Sequence, residues 1–327
     1  MRVIRVERFG GPEVLVAVDA PEPVAEDGQV MIEVAAVDVI FVETSIRGGW
    51  GEEFFDVRPP YVPGGAVAGT VVSAGAGVEA GWVGRRVAAR VGVKDGAGGG
   101  YAERVAVPAG RLAEVPEGLG LAEAAALLHD GPTALALLEQ NGIRPGERVL
   151  ILAAGGGMGV LLVQLARAAG ARVVAAARGG AKLELARKLG ADVAVDYTGP
   201  GWAGRVVEAT GGAGPDLVLD GAGGRIGREA FEITAPGGRF SAHGAPGGGF
   251  TEIDPAEAGR RGITVRGIQH VQLVPAERDR LIGRALAEAA AGRLTPVIGR
   301  TFPLERAADA HAAIESRAVV GKTLLLP

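Results

Sequence analysis

The densest chemical signal in the chain is Ala153-x-x-Gly156-x-x-Gly159, set inside RVLILAAGGGMGVLLVQLARAAG at 148–170. Gly155, Gly156 and Gly157 strip side chains from a turn that Ala154 and Met158 complete, and Gly159 lets the following segment pack close. Residues 149–152 ahead of it are a short apolar run suited to a buried parallel strand, and 158–169 is a strong helix former. A helix starting there aims free N–H groups and its positive dipole end at whatever lies over the turn, which suits a pyrophosphate. A glycine triplet alone is common in loops. Strand before, helix after and a βαβ unit around it read as a dinucleotide site, although the spacing is not a strict G-x-G-x-x-G.

The next strand distinguishes between dinucleotides. RVVAAA at 172–177 ends at Arg178, about twenty residues past the glycine turn, where NAD sites place an acid for the ribose 2′-hydroxyl. The run Ala176, Ala177, Arg178, Gly179, Gly180, Ala181, Lys182 holds no acid and two cations. That pattern favours NADPH over NADH, with solvated surface charges as the bland alternative for Arg178 and Lys182. Two later strands end on small residues at the edge where open α/β sheets bind ligands. Asp220-Gly221-Ala222-Gly223-Gly224 lets backbone approach a cofactor, and His243-Gly244 is expected to face the nicotinamide ribose, either as a hydrogen-bond donor or as a satisfied edge histidine. His129 and Asp130 fall at an expected break between two helices. Either could relay a proton, and either could be a polar loop residue or a cap.

These residues need a scaffold, and the chain supplies two kinds. Residues 1–122 carry short β-rich runs punctuated by Gly and Pro, as in a barrel-like β domain. From 123 to 264 strands (VLIL, VVAAA, VAVDY, LVLD, RFSAH) alternate with helical stretches, which implies a doubly wound parallel sheet. TVRGIQHV reads as a further strand, ERDRLIGRALAEAAAGRL as an amphipathic helix, and GKTLLLP as a closing strand that returns to the first domain. The expected division is therefore 1–122 with 265–327, and 123–264. At 327 residues two domains are the natural expectation. A net charge of −4 without a basic block argues against nucleic acid, and no run of ~20 apolar residues suggests a membrane span. With no cysteine, disulfides, thiolate zinc ligands and a cysteine nucleophile are all excluded. No signal-peptide pattern is seen, so a cytoplasmic protein is expected.

The anchors PPYVPGGAVAGTVVSAGAGV, DGPTALALL, AAGGGMG, KLGADVAVDY, LVLDGAGG, PGGRFSAHGA and GKTLLLP, in this order and spacing, resemble the zinc-independent quinone oxidoreductase branch of the medium-chain dehydrogenase/reductase superfamily. The resemblance spans Met1 to Pro327. It implies an α/β fold, with a GroES-like catalytic domain split around a Rossmann NADP-binding domain, the cofactor in the cleft between them, and a homodimer. Zinc-dependent members carry a cysteine ligand, a Gly-His-Glu where this chain has Gly64-Gly65-Ala66, and a four-cysteine lobe. Four scattered histidines, at 129, 243, 270 and 311, do not replace a tetrahedral ligand set, so no metal site is expected.

The resemblance also carries residue roles. It places Thr133 against the nicotinamide end, where it could equally cap a helix, Tyr197 on the adenosine or its 2′-phosphate, and Gln269, Arg317 and Lys322 near the cofactor, the last two with a solvated cation as the alternative. The motif N-x-x-D-T-Y-x-R-x-G appears as residues 40–49, IFVETSIRGG, so that Ile40 and Ser45 replace the Asn and Tyr that line the substrate side. Arg47, Trp50 and Tyr61 join them as substrate-side candidates, and Trp50, Phe54, Phe55 and Tyr61 could form an apolar lid, ordinary core or a dimer contact. The implied activity is hydride transfer from NADPH to a quinone or an α,β-unsaturated carbonyl compound. A conjugated acceptor spreads the developing charge without a metal. An enoyl or alkenal reductase of a specialised metabolite, and an NADPH-binding protein with little turnover, remain alternatives.

Overall fold

The computed structural model describes residues 1–92 and 98–327, with backbone alone at 53 and 54. The chain forms two compact units, Met1–His129 with Ile282–Pro327, and Asp130–Leu281. The first unit carries β1 (Arg2–Val6), β2 (Leu15–Asp19), β3 (Gln29–Val39), β4 (Ala66–Ala74), β5 (Arg86–Arg90), β6 (Arg104–Pro108) and β7 (Leu112–Glu114). The second carries β8 (Arg148–Leu152), β9 (Arg172–Ala177), β10 (Val193–Asp196), β11 (Leu217–Asp220), β12 (Arg239–Ala242) and β13 (Thr264–Arg266). β14 (Ile298–Pro303) and β15 (Lys322–Leu326) belong again to the first. The helices are α1 (Phe41–Arg47), α2 (Glu52–Phe55), α3 (Leu121–Leu127), α4 (Asp130–Asn141), α5 (Gly157–Ala168), α6 (Gly180–Lys188), α7 (Trp202–Ala209), α8 (Gly224–Glu232), α9 (Pro255–Arg260), α10 (Pro275–Ala290) and α11 (Ala307–Glu315).

In the first unit everything is built on β3. Its sequence QVMIEVAAVDV is long and β-branched, and it pairs antiparallel with β4, β6 and β15. The sheet runs β14-β15-β3-β4-β5-β7, and β1 and β2 form a separate antiparallel pair. As expected, GKTLLLP returns to this sheet as a strand, lying between β14 and β3, with Thr323, Leu324 and Leu325 opposite Val39, Asp38 and Val37. The core gathers Ile4, Val30, Ile32, Val67, Tyr101, Val105 and Leu325.

The second unit is a parallel sheet ordered β10-β9-β8-β11-β12-β13. In order of appearance that is 3-2-1-4-5-6, the doubly wound arrangement whose direction reverses between β8 and β11. The four apolar residues 149–152 are buried, because a parallel strand covered by helices presents no solvent face. Two sequence expectations shift. The division lies at His129/Asp130 rather than 122/123, because α3 packs on β3, β4 and β5. The second division falls inside α10 rather than at 264/265, because β13 is the sixth strand of the parallel sheet. TVRGIQHV is a strand only as far as Arg266, and Ile268–Val271 turn as a 3-10 helix.

Phe240 of β12 is fully buried and meets Phe231 of α8 edge-on at 5.6 Å, and Arg228 and Arg261 each sit 5.3 Å over the Phe231 ring. Phe240→Ala would remove one ring of this pair and leave a cavity. We expect a loss of about 3–5 kcal/mol in denaturant unfolding, and a loss below ~1 kcal/mol would show that the pocket collapses.

Candidate active site

In the second unit, the glycine turn stands at the carboxyl end of β8, beside the point where strand order reverses. Ala153 takes a positive φ of 54°, and its carbonyl accepts the Gly156 N–H at 2.9 Å, which folds the chain back into α5. Gly156 is the N-cap and offers no side chain, so the first-turn N–H groups of a twelve-residue helix have no side-chain cap. Two close approaches, one by backbone and one by a side chain, explain Gly159 and Gly155. A Cβ on Gly159 would lie 2.4 Å from the Ala153 carbonyl oxygen, and one on Gly155 would lie 2.4 Å from the Lys182 Cβ. The stem of Lys182, from α6, therefore crosses the turn. An uncapped helix N-terminus behind a turn free of side chains suits an anion, because its N–H groups and dipole end are positive.

The neighbouring strand ends complete the edge. Arg178 is exposed just past β9. An acid that the sequence run did not reveal comes from β10: Asp196 accepts the Gly179 N–H at 3.1 Å, and the Thr198 N–H and hydroxyl at 2.8 and 2.6 Å. Its carboxyl is held below the usual range by Thr198. It is thus committed to closing the loop between β9 and α6. Arg205 donates to the Asp196 carbonyl at 2.9 Å and adds a third cation. Tyr197 is half-buried, edge-on to Trp202 at 6.4 Å.

At the end of β11, buried Asp220 accepts the Ala222 and Gly223 N–H groups at 2.9 and 2.8 Å and the Thr251 hydroxyl at 2.5 Å. Burial still pushes its carboxyl up. Asp220 thereby ties Gly221 and Ala222 to the segment 244–251, where Gly244 packs directly on Gly221. His243 lies there with its Nδ1 3.3 Å from the Ser241 carbonyl, and burial depresses it to about 4, so it is a neutral ring. Gln269 is exposed in the 3-10 turn and folds over Gly267. Thr133 is half-buried in the first turn of α4, which starts at Asp130, so it does not cap that helix.

In the first unit, two charged networks lie under the altered motif. Asp38, in the otherwise apolar end of β3, is fully buried, 2.7 Å from Lys322 Nζ and 3.0 Å from His129 Nδ1. Burial alone would raise Asp38, but Lys322 and His129 more than offset it and keep it ionised. Burial and the cation Arg90 lower His129, so its imidazole is neutral. Gly65 makes room for this ring, since a Cβ there would lie 3.0 Å from His129 Nε2. Glu43 of α1 is buried too. It accepts the Ile40 N–H at 3.1 Å, the Gly65 N–H at 3.0 Å and the Tyr101 hydroxyl at 3.0 Å.

Two sequence assignments are corrected here. Arg47 is not a substrate-side residue: it is 3% exposed and donates to the Gly10 carbonyl, His311 and Glu315. Lys322 is not an open cofactor contact, because it is 4% exposed and paired with Asp38. Arg317 lies over the Phe41 ring at 4.4 Å. Ile40 and Ser45 are half-buried on α1 and its cap, Tyr61 is half-buried, and exposed Trp50 touches Phe55 at 5.9 Å. The Phe54 side chain lies outside the described residues. Among the described residues no group of three His, Asp or Glu is placed to hold a metal.

Asp38, Glu43, Tyr101, Asp196 and Arg205 were not singled out from sequence. Asp38 carried a usable signal, since a charge inside a core strand must be paired.

Comparison with known proteins agrees with this geometry. A zinc-binding dehydrogenase family matches residues 157–285, and an alcohol dehydrogenase GroES-like domain family matches residues 26–117. The chain is 34% identical to the 2-haloacrylate reductase of Burkholderia sp. over 98% of each chain. It is 33% identical to the quinone oxidoreductase of Sus scrofa over 100% of this chain and 98% of that one. The chain belongs to the quinone oxidoreductase branch of the medium-chain dehydrogenase/reductase superfamily. The quinone oxidoreductase of Escherichia coli, solved in complex with NADPH, superposes with a TM-score of 0.90 over all of both chains at 27% identity. Within the branch, the Asp38–Lys322 pair is open to a direct test. Lys322→Met would leave a buried carboxylate without its cation and with only neutral His129 as partner, and we expect it to cost about 3–5 kcal/mol at pH 7.5. The depressed Asp38 contributes stability above its unfolded value of 3.8, and that stability is lost as pH falls through the lower folded value. Without Lys322 burial dominates and Asp38 titrates upward, so acid should relieve the variant's penalty. Urea melts at pH 7.5 and 5 that show the same penalty would contradict this.

Proposed function

We propose that this protein is a zinc-independent reductase that uses NADPH to reduce a quinone or an α,β-unsaturated carbonyl compound. The observation that carries this reading is the glycine turn at the switch point of the parallel sheet, with Lys182 drawn across it and Arg178 at the end of β9. The NADPH complex of the similar Escherichia coli enzyme supports the choice of cofactor. Residues 154–159 and Lys182 would hold the pyrophosphate, Arg178 the 2′-phosphate and Tyr197 the adenosine. Gly221, Ala222, His243 and Gly244 would line the nicotinamide ribose. When bound, NADPH supplies the hydride.

The chain's own residues then have to manage charge and one proton. Hydride arriving at the β-carbon of an enone, or at a quinone, leaves negative charge that donors must steady. Asp38 accepts the Nδ1 proton of neutral His129, which fixes the tautomer and makes Nε2 the atom that takes up a proton and passes it on. Thr133 would donate a hydrogen bond near the acceptor, and Asp130 is the second candidate for relaying the proton. Hydride and proton together complete the addition across the double bond. The 2-haloacrylate reductase relative supports a second reading, an enoyl-type reductase with a narrower substrate, in keeping with Ile40 and Ser45 in the altered motif. The homodimer implied by the resemblance is part of the same proposal.

NADPH oxidation against a panel of quinones, enones and unsaturated acids, with NADH in parallel, tests the reading. We expect NADPH-preferring turnover of one acceptor class. Tight NADPH binding with no acceptor reduced would favour a binding protein with little turnover. Arg178→Ala should weaken NADPH about ten- to a hundredfold, the loss of one charge-assisted contact, and leave NADH nearly unchanged. Equal losses for both cofactors would sink the 2′-phosphate role.

A further inference from the structure

A line of buried polar groups runs from the surface of the first unit to Glu43. Glu315 of α11 is paired with Arg47, which also donates to the Gly10 carbonyl at 3.1 Å. Arg47 Nη1 lies 3.2 Å from His311 Nδ1, His311 Nε2 lies 2.9 Å from the Tyr101 hydroxyl, and that hydroxyl lies 3.0 Å from Glu43. Only one arrangement of protons satisfies this line. A guanidinium donates and never accepts, so His311 Nδ1 must be the bare nitrogen and Nε2 must carry the proton. The single Tyr101 proton then points at Glu43. Burial and Arg47 depress His311 to about 3, which keeps the ring neutral, as this order requires. The line is therefore one-way: Arg47 to His311 to Tyr101 to Glu43.

Glu43 itself receives three donors and passes them to two separate segments of chain. Its Oε2 takes the Ile40 N–H, at the head of the altered motif, and its Oε1 takes the Gly65 N–H, in the segment beside the His129 ring. We propose that Glu43 is a positioning residue for the acceptor-binding segment, and that only its carboxylate form clamps Ile40 and Gly65 together. The proposal rests on the reading above that residues 40–45 meet the acceptor.

The physical reason is that a protonated Glu43 meets no free acceptor among the described residues. Its three contacts are all donors. Tyr101 could accept only by turning its own proton onto His311 Nε2, which would drive the displaced ring proton against Arg47. Burial pulls the other way and disfavours the charge. Around Glu43 the groups that bear on this balance are Asp38 on β3, Tyr61 ahead of β4, Tyr101 ahead of β6, Arg47 on α1, His129 after α3, and His311 and Glu315 on α11. Both tyrosines are held protonated, Tyr61 at about 12. Glu43 comes to rest at about 7, chiefly through burial. The raised value means the folded chain keeps the proton below that pH and gives it up above, so the clamp is complete on the alkaline side and is released by acid.

The test follows acceptor KM, kcat and NADPH KM of the whole chain from pH 8 to pH 6, beside infrared titration of buried carboxyl groups. If only the ionised form binds acceptor, its KM should rise about tenfold over this range, with NADPH KM as the control. Glu43→Gln should show a high, pH-independent acceptor KM and lose the carboxylic acid band that titrates near neutrality. Should that variant fail to fold, Tyr101→Phe serves instead: removing one donor to the carboxylate should move both the KM step and the band to higher pH. Turnover with an acceptor KM that ignores pH would overturn the proposal, and so would a Glu43 band that titrates in the ordinary carboxylate range. Absence of turnover with every acceptor would instead defeat the functional reading, and the positioning role with it.

Discussion

The first unit depends on one buried ion pair. Asp38 stands near the end of β3 and Lys322 opens β15, and the two charges meet 2.7 Å apart with almost no solvent. Neither could be buried alone, because an unpaired charge in the interior costs several kcal/mol (roughly 3–5 once its partner is gone). The pair couples the last strand of the chain to the strand on which the whole sheet is built. It also holds the acid that orients His129, so a single electrostatic constraint serves the seating of β15 against β3 and the placement of an imidazole.

The second unit works by a different chemistry, in which backbone rather than side chains makes the site. At the end of β8 the chain turns through Ala153 in a left-handed conformation and enters α5 with no side-chain cap, so helix N–H groups and dipole are left for an anion. Asp220 does for the nearby loops what a cap does for a helix. It gathers two N–H groups and the Thr251 hydroxyl and so keeps the segment after β12 against the end of β11. Carboxylates recur in this role. Asp196 closes the loop after β9, and Glu43 joins Ile40 to Gly65.

Much of this was legible in the order of residues. Apolar runs of four to six residues between helical stretches state a parallel sheet, and the glycine turn states where its ligand edge lies, because both depend on local periodicity and on the absence of side chains. The return of GKTLLLP to the first unit was legible as well, from its apolar pattern. The polar networks were not. In the sequence Arg47 read as a substrate-side residue and Lys322 as a cofactor neighbour; both are buried on partners, Glu315, His311 and Asp38, that lie 264 to 284 residues away along the chain. The division between units was displaced for a similar reason: α3 looks like the start of the alternating region, and only packing on β3 and β4 assigns it to the first unit.

What the sequence by itself determined is therefore what short-range physics controls: the strand–turn–helix unit at 148–170, the cations after β9 and the missing cysteines. What only the tertiary structure decided is which charges face each other. Asp38 with His129 and Lys322, and Arg47 through His311 and Tyr101 to Glu43, are pairings between distant segments. Burial strengthens these interactions by excluding water, and burial is a property of the folded chain that no stretch of sequence states.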